Sequence, residues 1–190
     1  MGKNNIWVMR HGETVWNRQG RLQGQLDSEL TASAKSALRK YELPKVTSLS
    51  ILSSDLGRAL ETAKHLQSRV SCSRVTSSPL LRERHFGVLQ GLLIEPSDTK
   101  NEQWRHYHSR YHQTGLQVTG CESDLDLRLR LERAKQWIIT ESKKSDAVLL
   151  VVHGEWWRAF DNLVSGRPIW DVGSGIISNG VLSQVITKNW

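Results

Sequence analysis

Short apolar runs separated by polar, cap-rich stretches recur along the chain, and they follow two different periods. Ile6-Trp7-Val8-Met9, Ser50-Ile51-Leu52-Ser53 and Ala147 to Val152 are too short for helices and read as buried strands. The last is an unbroken aliphatic run, the pattern of a parallel strand covered on both faces. A further strand takes in Arg74-Val75-Thr76, while Ile176 to Asn179, Gly180 and then Val181 to Thr187 read as strand material around a turn. Helical stretches lie between them. One starts at the cap Thr31 and runs to about Tyr41, with Pro44 beyond, and another covers roughly Leu56 to Ser68 behind a Ser54-Asp55 cap. Asn101 to Gln113 sets Trp104, Tyr107 and Tyr111 at three- and four-residue spacing, which predicts a helix laying an aromatic face on something below. A helix also follows the aliphatic strand, through Leu163.

The stretch Asp124 to Leu131 alternates like a strand. It is assigned to a helix because Leu127, Leu131, Ala134 and Ile138 continue one helical stripe, because the pattern is too long for a strand, and because Asp124/Arg128 and Asp126/Arg130 are favourable four-residue pairs. Strands alternating with helices predict an α/β fold, a three-layer α/β/α sandwich with a mostly parallel central sheet. The 190 residues are expected to form one domain, residues 1–190, with a lid or cap segment within 92–120. Ligands of such sheets gather beyond the carboxyl ends of the strands, and both Arg10-His11-Gly12 and His153-Gly154 directly follow predicted strands.

Composition narrows the partners. Hydrophobic residues make up 38% and charged residues 24%, and no run approaches the length of a membrane span, so a soluble protein without a membrane partner is expected. The N-terminal residues lack the apolar region and cleavage site of a secretory signal, and Cys72 and Cys121 read as free thiols of a reducing cytoplasm. A net charge of +7 favours anionic ligands. Phosphorylated metabolites, nucleic acid and a lipid surface all meet that description, and the scatter of the basic residues weakens the case for a nucleic-acid face; the expected partner is a small phosphorylated substrate, not nucleic acid, bound by a monomer or homodimer.

A phosphoryl group asks for planar, multiply donating arginines and for a nucleophile that is competent near neutral pH. Arg10 and His11 supply such a pair, since neutral imidazole attacks phosphorus without prior deprotonation once its other ring nitrogen is held. The longer string Arg10-His11-Gly12-Glu13-Thr14-Val15-Trp16-Asn17 resembles the signature of the histidine phosphatase superfamily, also called phosphoglycerate-mutase-like. The resemblance continues through Arg21 to Thr31, the segment Ser53 to Ala63, Leu81-Arg82-Glu83 and Val152-His153-Gly154, in family order over nearly the whole chain. It implies that His11 becomes a phosphohistidine, that Arg10, Arg58, His153 and Asn17 bind the phosphate, that Gln23 and Gly24 line the substrate, and that Glu83 gives and takes the proton. His153 then counts with His11 and Glu83 among the catalytic groups. Arg58 would gain from the exposed N–H groups in the first turn of its helix.

Other residues stay open at this stage. His85 faces either the pocket or the solvent. His106, His108 and His112 include a four-residue pair able to clamp a metal, but no Glu or Cys pattern completes it, and the implied chemistry needs neither metal nor cofactor. Trp156 and Trp157 either wall the pocket or pack in the core. The chain departs from the family pattern at Gln90-Gly91, Cys121-Glu122-Ser123 and Ala34, positions that bear on loop shape and fit. Its short length and its Leu22 to Asp27 stretch look more like small metabolite-directed phosphatases than like the cofactor-dependent glycolytic mutases. A phosphatase acting on a small phosphomonoester is therefore expected, with a phosphoglycerate mutase or a non-catalytic phospholigand-binding regulatory module as alternatives.

Overall fold

The computed structural model describes residues 5–69, 73–111 and 115–185. Five strands form one sheet in the order β3-β2-β4-β1-β5: β1 (Asn5–Arg10), β2 (Leu49–Ser54), β3 (Ser73–Ser78), β4 (Ala147–Val152) and β5 (Leu182–Gln184). All neighbours run parallel except β5, which lies antiparallel along β1 with Trp7 opposite Gln184. The expected mostly parallel α/β fold is the one observed.

Alternation along the strands sends side chains to two separate cores. On one side Ile6, Val8, Leu52, Val148, Leu150 and Val152 meet α5 (Asp124–Glu141) and α6 (Gly154–Val164). On the other side Met9, Leu49, Ile51, Leu149 and Val151 meet α2 (Ala32–Leu38) and α3 (Gly57–Gln67), through Leu38, Ala59, Ala63 and Leu66. Leu127, Leu131, Ala134 and Ile138 are fully buried, so the ambiguous stretch is the helix that its long stripe implied. Trp156 stacks on Phe160 with ring centroids 4.8 Å apart and donates its indole N–H to the Leu80 carbonyl, which makes it a core residue; Trp157 packs in the same cluster.

Several local expectations are corrected. The side chains of Asp124 and Asp126 turn to Arg84 and the N-cap Ser123, and Arg130 pairs with Glu122, all from outside the helix, while Arg128 forms a four-residue pair with Glu132 instead of Asp124. Thr31 caps α2 as expected, through a bond from the Ala34 N–H, but the helix ends at Leu38. Leu56, not Ser54 or Asp55, is the N-cap of α3 and has no side-chain cap; Asp55 is taken by Arg82 at 2.6 Å. Ile176 to Asn179 is not strand, and β5 is confined to three residues, with 186 and 187 outside the described residues.

Residues 79–111 and 115–121 cross the carboxyl ends of the strands. They include the two short turns Pro79–Leu81 and Gly87–Leu89 and the helix α4 (Glu102–Ser109), which gives way to turn at 110 and 111, with 112 and 113 of the expected Asn101 to Gln113 outside the described residues. Trp104, Tyr107, Phe86, Leu89, Leu116 and Val118 close on Leu22 as a third apolar cluster, so the aromatic spacing did mark a buried face. Backbone bonds from Leu22 N–H to Leu92 O and from Gly91 N–H to Leu22 O stitch this segment to the loop that follows α1 (Val15–Arg18).

Candidate active site

Strand ends and helix starts converge on a cavity of about 250 Å³ whose lining includes Arg10, His11, Asn17, Gln23, Gly24, Arg58 and Glu83. Each reaches it for a local reason. Arg10 ends β1, and its guanidinium donates to the Ile177 carbonyl at 3.2 Å. His11 follows directly and bonds back to β4 through its N–H and the Val152 carbonyl. Asn17 sits in a capping box on α1, where its carboxamide oxygen accepts from the Thr14 N–H at 3.1 Å, leaving its NH2 end as the donor available to the pocket. Gly24 has φ +56°, a left-handed turn that lets the chain pass against Gln90; any Cβ there would run into the Gln90 carboxamide. The buried Gln23 keeps its side-chain oxygen without a hydrogen-bond partner.

The His11 ring is 2% exposed, and its two nitrogens have distinct environments. Nδ1 lies 2.8 Å from the Gly12 carbonyl, which accepts its proton, so Nε2 carries the lone pair and receives Arg58 Nε–H at 3.1 Å. Burial first, then the nearby Arg58 and Arg10, hold its pKa well below the usual imidazole range, and the ring is neutral. His153 lies alongside with ring centroids 5.2 Å apart, fully buried, neither ring nitrogen bonded, and its pKa is likewise depressed by burial, Arg58 and His11. Its ring packs against that of His11, with no solvent exposure of its own.

Two helix N-termini point at this region, and the protein's own carboxylates occupy both. Asp27 accepts from the Gly57 and Arg58 N–H groups of α3, and also from the Arg58 guanidinium at 3.2 Å. The first turn of α3 is therefore not offered to a substrate anion as expected; Asp27 takes the capping role and orients Arg58 instead. Arg58 also donates to the carbonyls of Gly24 and Leu26, at 2.7 Å each. At α6, Glu83 accepts from the N–H groups of Trp156 at 2.8 Å and Glu155 at 3.1 Å. Burial, and then the neighbouring Glu155 carboxylate, push the Glu83 pKa upward against the backbone N–H bonds and Arg58. Gly154 opens the site from below: a Cβ there would stand 2.6 Å from Ile176 Cγ2 and 3.3 Å from Arg10 Cζ.

His85 points away from the cavity. Gln90 donates its NH2 to His85 Nε2 at 2.9 Å, His85 Nδ1–H donates to Gly120 O at 3.0 Å, and the Gln90 oxygen accepts from the Gln25 N–H, so the pair braces the Gly24 turn. Gln90 thus has a structural partner at a position where the chain departs from the family pattern. His106 approaches Glu102 and His108 bonds the Glu95 carbonyl, while His112 lies outside the described residues; among these residues no group of ligands is placed to hold a metal. The sequence reading missed Asp27 and Glu155 as site residues. Asp27 stood within the matched segment without a role, and Glu155 follows His153-Gly154, but a lone acid in either place carries no signal of its own.

A parallel sheet with a cationic, histidine-centred pocket at its carboxyl ends defines a class of α/β proteins built to handle anions. The chain belongs to the histidine phosphatase superfamily (branch 1), whose family model matches residues 6–189. It is 40% identical over 183 residues to a protein named probable phosphoglycerate mutase GpmB of Serratia proteamaculans, covering 95% of this chain and 83% of that one. The protein of the same name in Salmonella choleraesuis is 34% identical over 167 residues, covering 87% and 76%. The solved structure of a mycobacterial glucosyl-3-phosphoglycerate phosphatase complexed with VO3 superposes with a TM-score of 0.78 at 30% identity, covering 95% of this chain and 91% of that one. No helix among the described residues is long and apolar enough to cross a membrane.

Proposed function

We propose that the protein is a phosphatase that hydrolyses a phosphomonoester of a small metabolite through a phosphohistidine on His11. The observation that carries this reading is the tautomer of His11, with Nδ1–H spent on Gly12 and the Nε2 lone pair beside Arg58, in a buried ring held neutral. In the first step Nε2 bonds to phosphorus as the ester P–O bond breaks, and the proton of the Glu83 carboxyl goes to the leaving oxygen. In the second step water attacks phosphorus, the N–P bond breaks, and the water proton returns to Glu83. Arg10, Arg58 and Asn17 carry the charge on the transferring oxygens, His153 adds the N–H of its neutral ring, and Gln23 and Gly24 contact the rest of the substrate.

The raised pKa of Glu83 supports its role as the acid, and a phosphatase of known substrate among the structural relatives supports hydrolysis. Release of inorganic phosphate from p-nitrophenyl phosphate, unaffected by EDTA and lost in His11→Ala, is the expected result. Full activity in His11→Ala overturns the reading. The names of the curated relatives favour a second one, phosphoglycerate mutase. It requires interconversion of 3- and 2-phosphoglycerate after priming with bisphosphoglycerate, an assay in which a phosphatase releases phosphate and forms no isomer.

A further inference from the structure

Glu155, the second residue of α6, lines the pocket wall yet has no part in the steps above. The residue is 2% exposed, two donors bond its carboxylate, Tyr111 OH at 2.8 Å and Arg158 Nη2 at 2.8 Å, and Arg110 Nε stands 3.6 Å away as a further ion-pair partner. The Arg110 guanidinium is stacked between two rings, 3.8 Å from the centroid of Tyr107 and 4.1 Å from that of Tyr111, and it also donates to the Tyr107 carbonyl. Tyr107 itself lines the pocket. The carboxylate is thus bonded to the segment that leaves α4, while the backbone N–H of the same residue donates to Glu83.

Resting on the phosphatase reading, we propose that Glu155 is a positioning residue: its side chain latches Tyr107 and the end of α4 over the pocket while its main chain holds the proton donor Glu83, so that cover and acid are fixed together. A buried ion pair is a poor source of stability, and an apolar residue would pack the same space as well. What an apolar residue would not supply is a charge next to Glu83. Burial would neutralise Glu155, but Arg110 and Arg158 outweigh it and keep the carboxylate ionised. Arg10 on β1, Arg58 on α3, Tyr107 on α4 and Arg130 on α5 also face Glu83, and Glu155 is the anion of this set. It therefore favours the protonated donor.

The test uses Tyr111→Phe, which removes the bond to Glu155 and the one that Arg110 Nη2 donates to the same oxygen but leaves the ring stack, and Glu155→Gln, which removes the charge. Steady-state constants are measured across pH with p-nitrophenyl phosphate, and amide exchange is followed over residues 102–111. Tyr111→Phe should raise KM about tenfold, the scale of a lost bond to a charged acceptor, with kcat within about twofold. Glu155→Gln should do the same and also move the basic limb of the kcat/KM profile to lower pH, and Glu155→Asp should restore that limb toward the wild type. Amides of α4 should exchange about tenfold faster in both variants. Folded variants with wild-type KM, pH limbs and exchange overturn the latch. A wild type that releases no phosphate fails the phosphatase reading instead, and the exchange measurement then still decides whether Glu155 holds α4.

Discussion

An imidazole that attacks phosphorus must be neutral and must aim one defined lone pair, and His11 meets both demands through neighbours rather than through its own chemistry. The Gly12 carbonyl fixes the proton on Nδ1, and burial with two arginines keeps a second proton off the ring. Glu83 is shifted the opposite way. For the proposed reaction the active form has His11 unprotonated and Glu83 protonated, so kcat/KM should rise only above the depressed His11 value and fall as pH climbs through the raised Glu83 value. Measured profiles should show both limbs, the acidic one lost in variants of His11 and the basic one in variants of Glu83. Glu83→Gln should lose the basic limb and lower kcat by about 100-fold or more for an ester with a poor leaving group, and by less for p-nitrophenyl phosphate, whose leaving oxygen needs little protonation. The residues behind this scheme were legible in the sequence because Arg10, His11, Arg58, Glu83 and His153 follow one another in a family order. Asp27 and Glu155 were not, since their roles depend on which N–H groups and cations the fold sets opposite them.

The helices α3 and α6 both begin at the site, and each is capped by a carboxylate from another segment, Asp27 for α3 and Glu83 for α6. Local sequence predicted that the α3 cap would come from Ser54-Asp55, because side-chain caps are usually found within a residue or two of the first turn. A cap from thirty residues away leaves no local trace. It also gives Asp27 two duties, the helix terminus and the Arg58 guanidinium. Asp27→Ala should therefore cost about 1–2 kcal/mol of stability, read from the urea midpoint, and should raise KM by releasing Arg58 from one anchor. Loss of stability with an unchanged KM would show that Leu26 and Gly24 suffice to hold the guanidinium. The element that misled by period, α5, was recovered by the length of its stripe, as its four buried positions now attest. The pairs of Asp124 and Arg130 were not recoverable, because Arg84 and Glu122 come from outside the helix.

Across the whole molecule, two apolar layers hold the sheet and a polar cluster ties the segment above it to α6. Layer order and strand direction were readable from the alternation of apolar runs with helical stripes, since both cores repeat that pattern. The cluster of Arg110, Tyr111, Glu155 and Arg158 was not readable, because nothing in a sequence announces that four polar residues will be buried together. Arg158 also donates to the carbonyls of Ile169 and Asp171. Arg158→Met should cost about 3 kcal/mol, measured by denaturant unfolding, because it strands part of a buried carboxylate and two carbonyls. Glu155 has a folded pKa below its ordinary value, so its stabilisation is present at neutral pH and is lost as pH falls through that depressed value.

The edge strand β5 has one further effect. On the way to it the chain passes under the end of β1, where Ile177 offers its carbonyl to Arg10, Asn179 donates to the His11 carbonyl and Gly180 to that of Arg10. A chain cut before residue 176 would retain every signature residue and the four parallel strands, yet its leading arginine would have lost its backbone rest and its histidine one of its braces. Possession of the signature and support of its first two residues are thus separate properties, joined when the last segment docks.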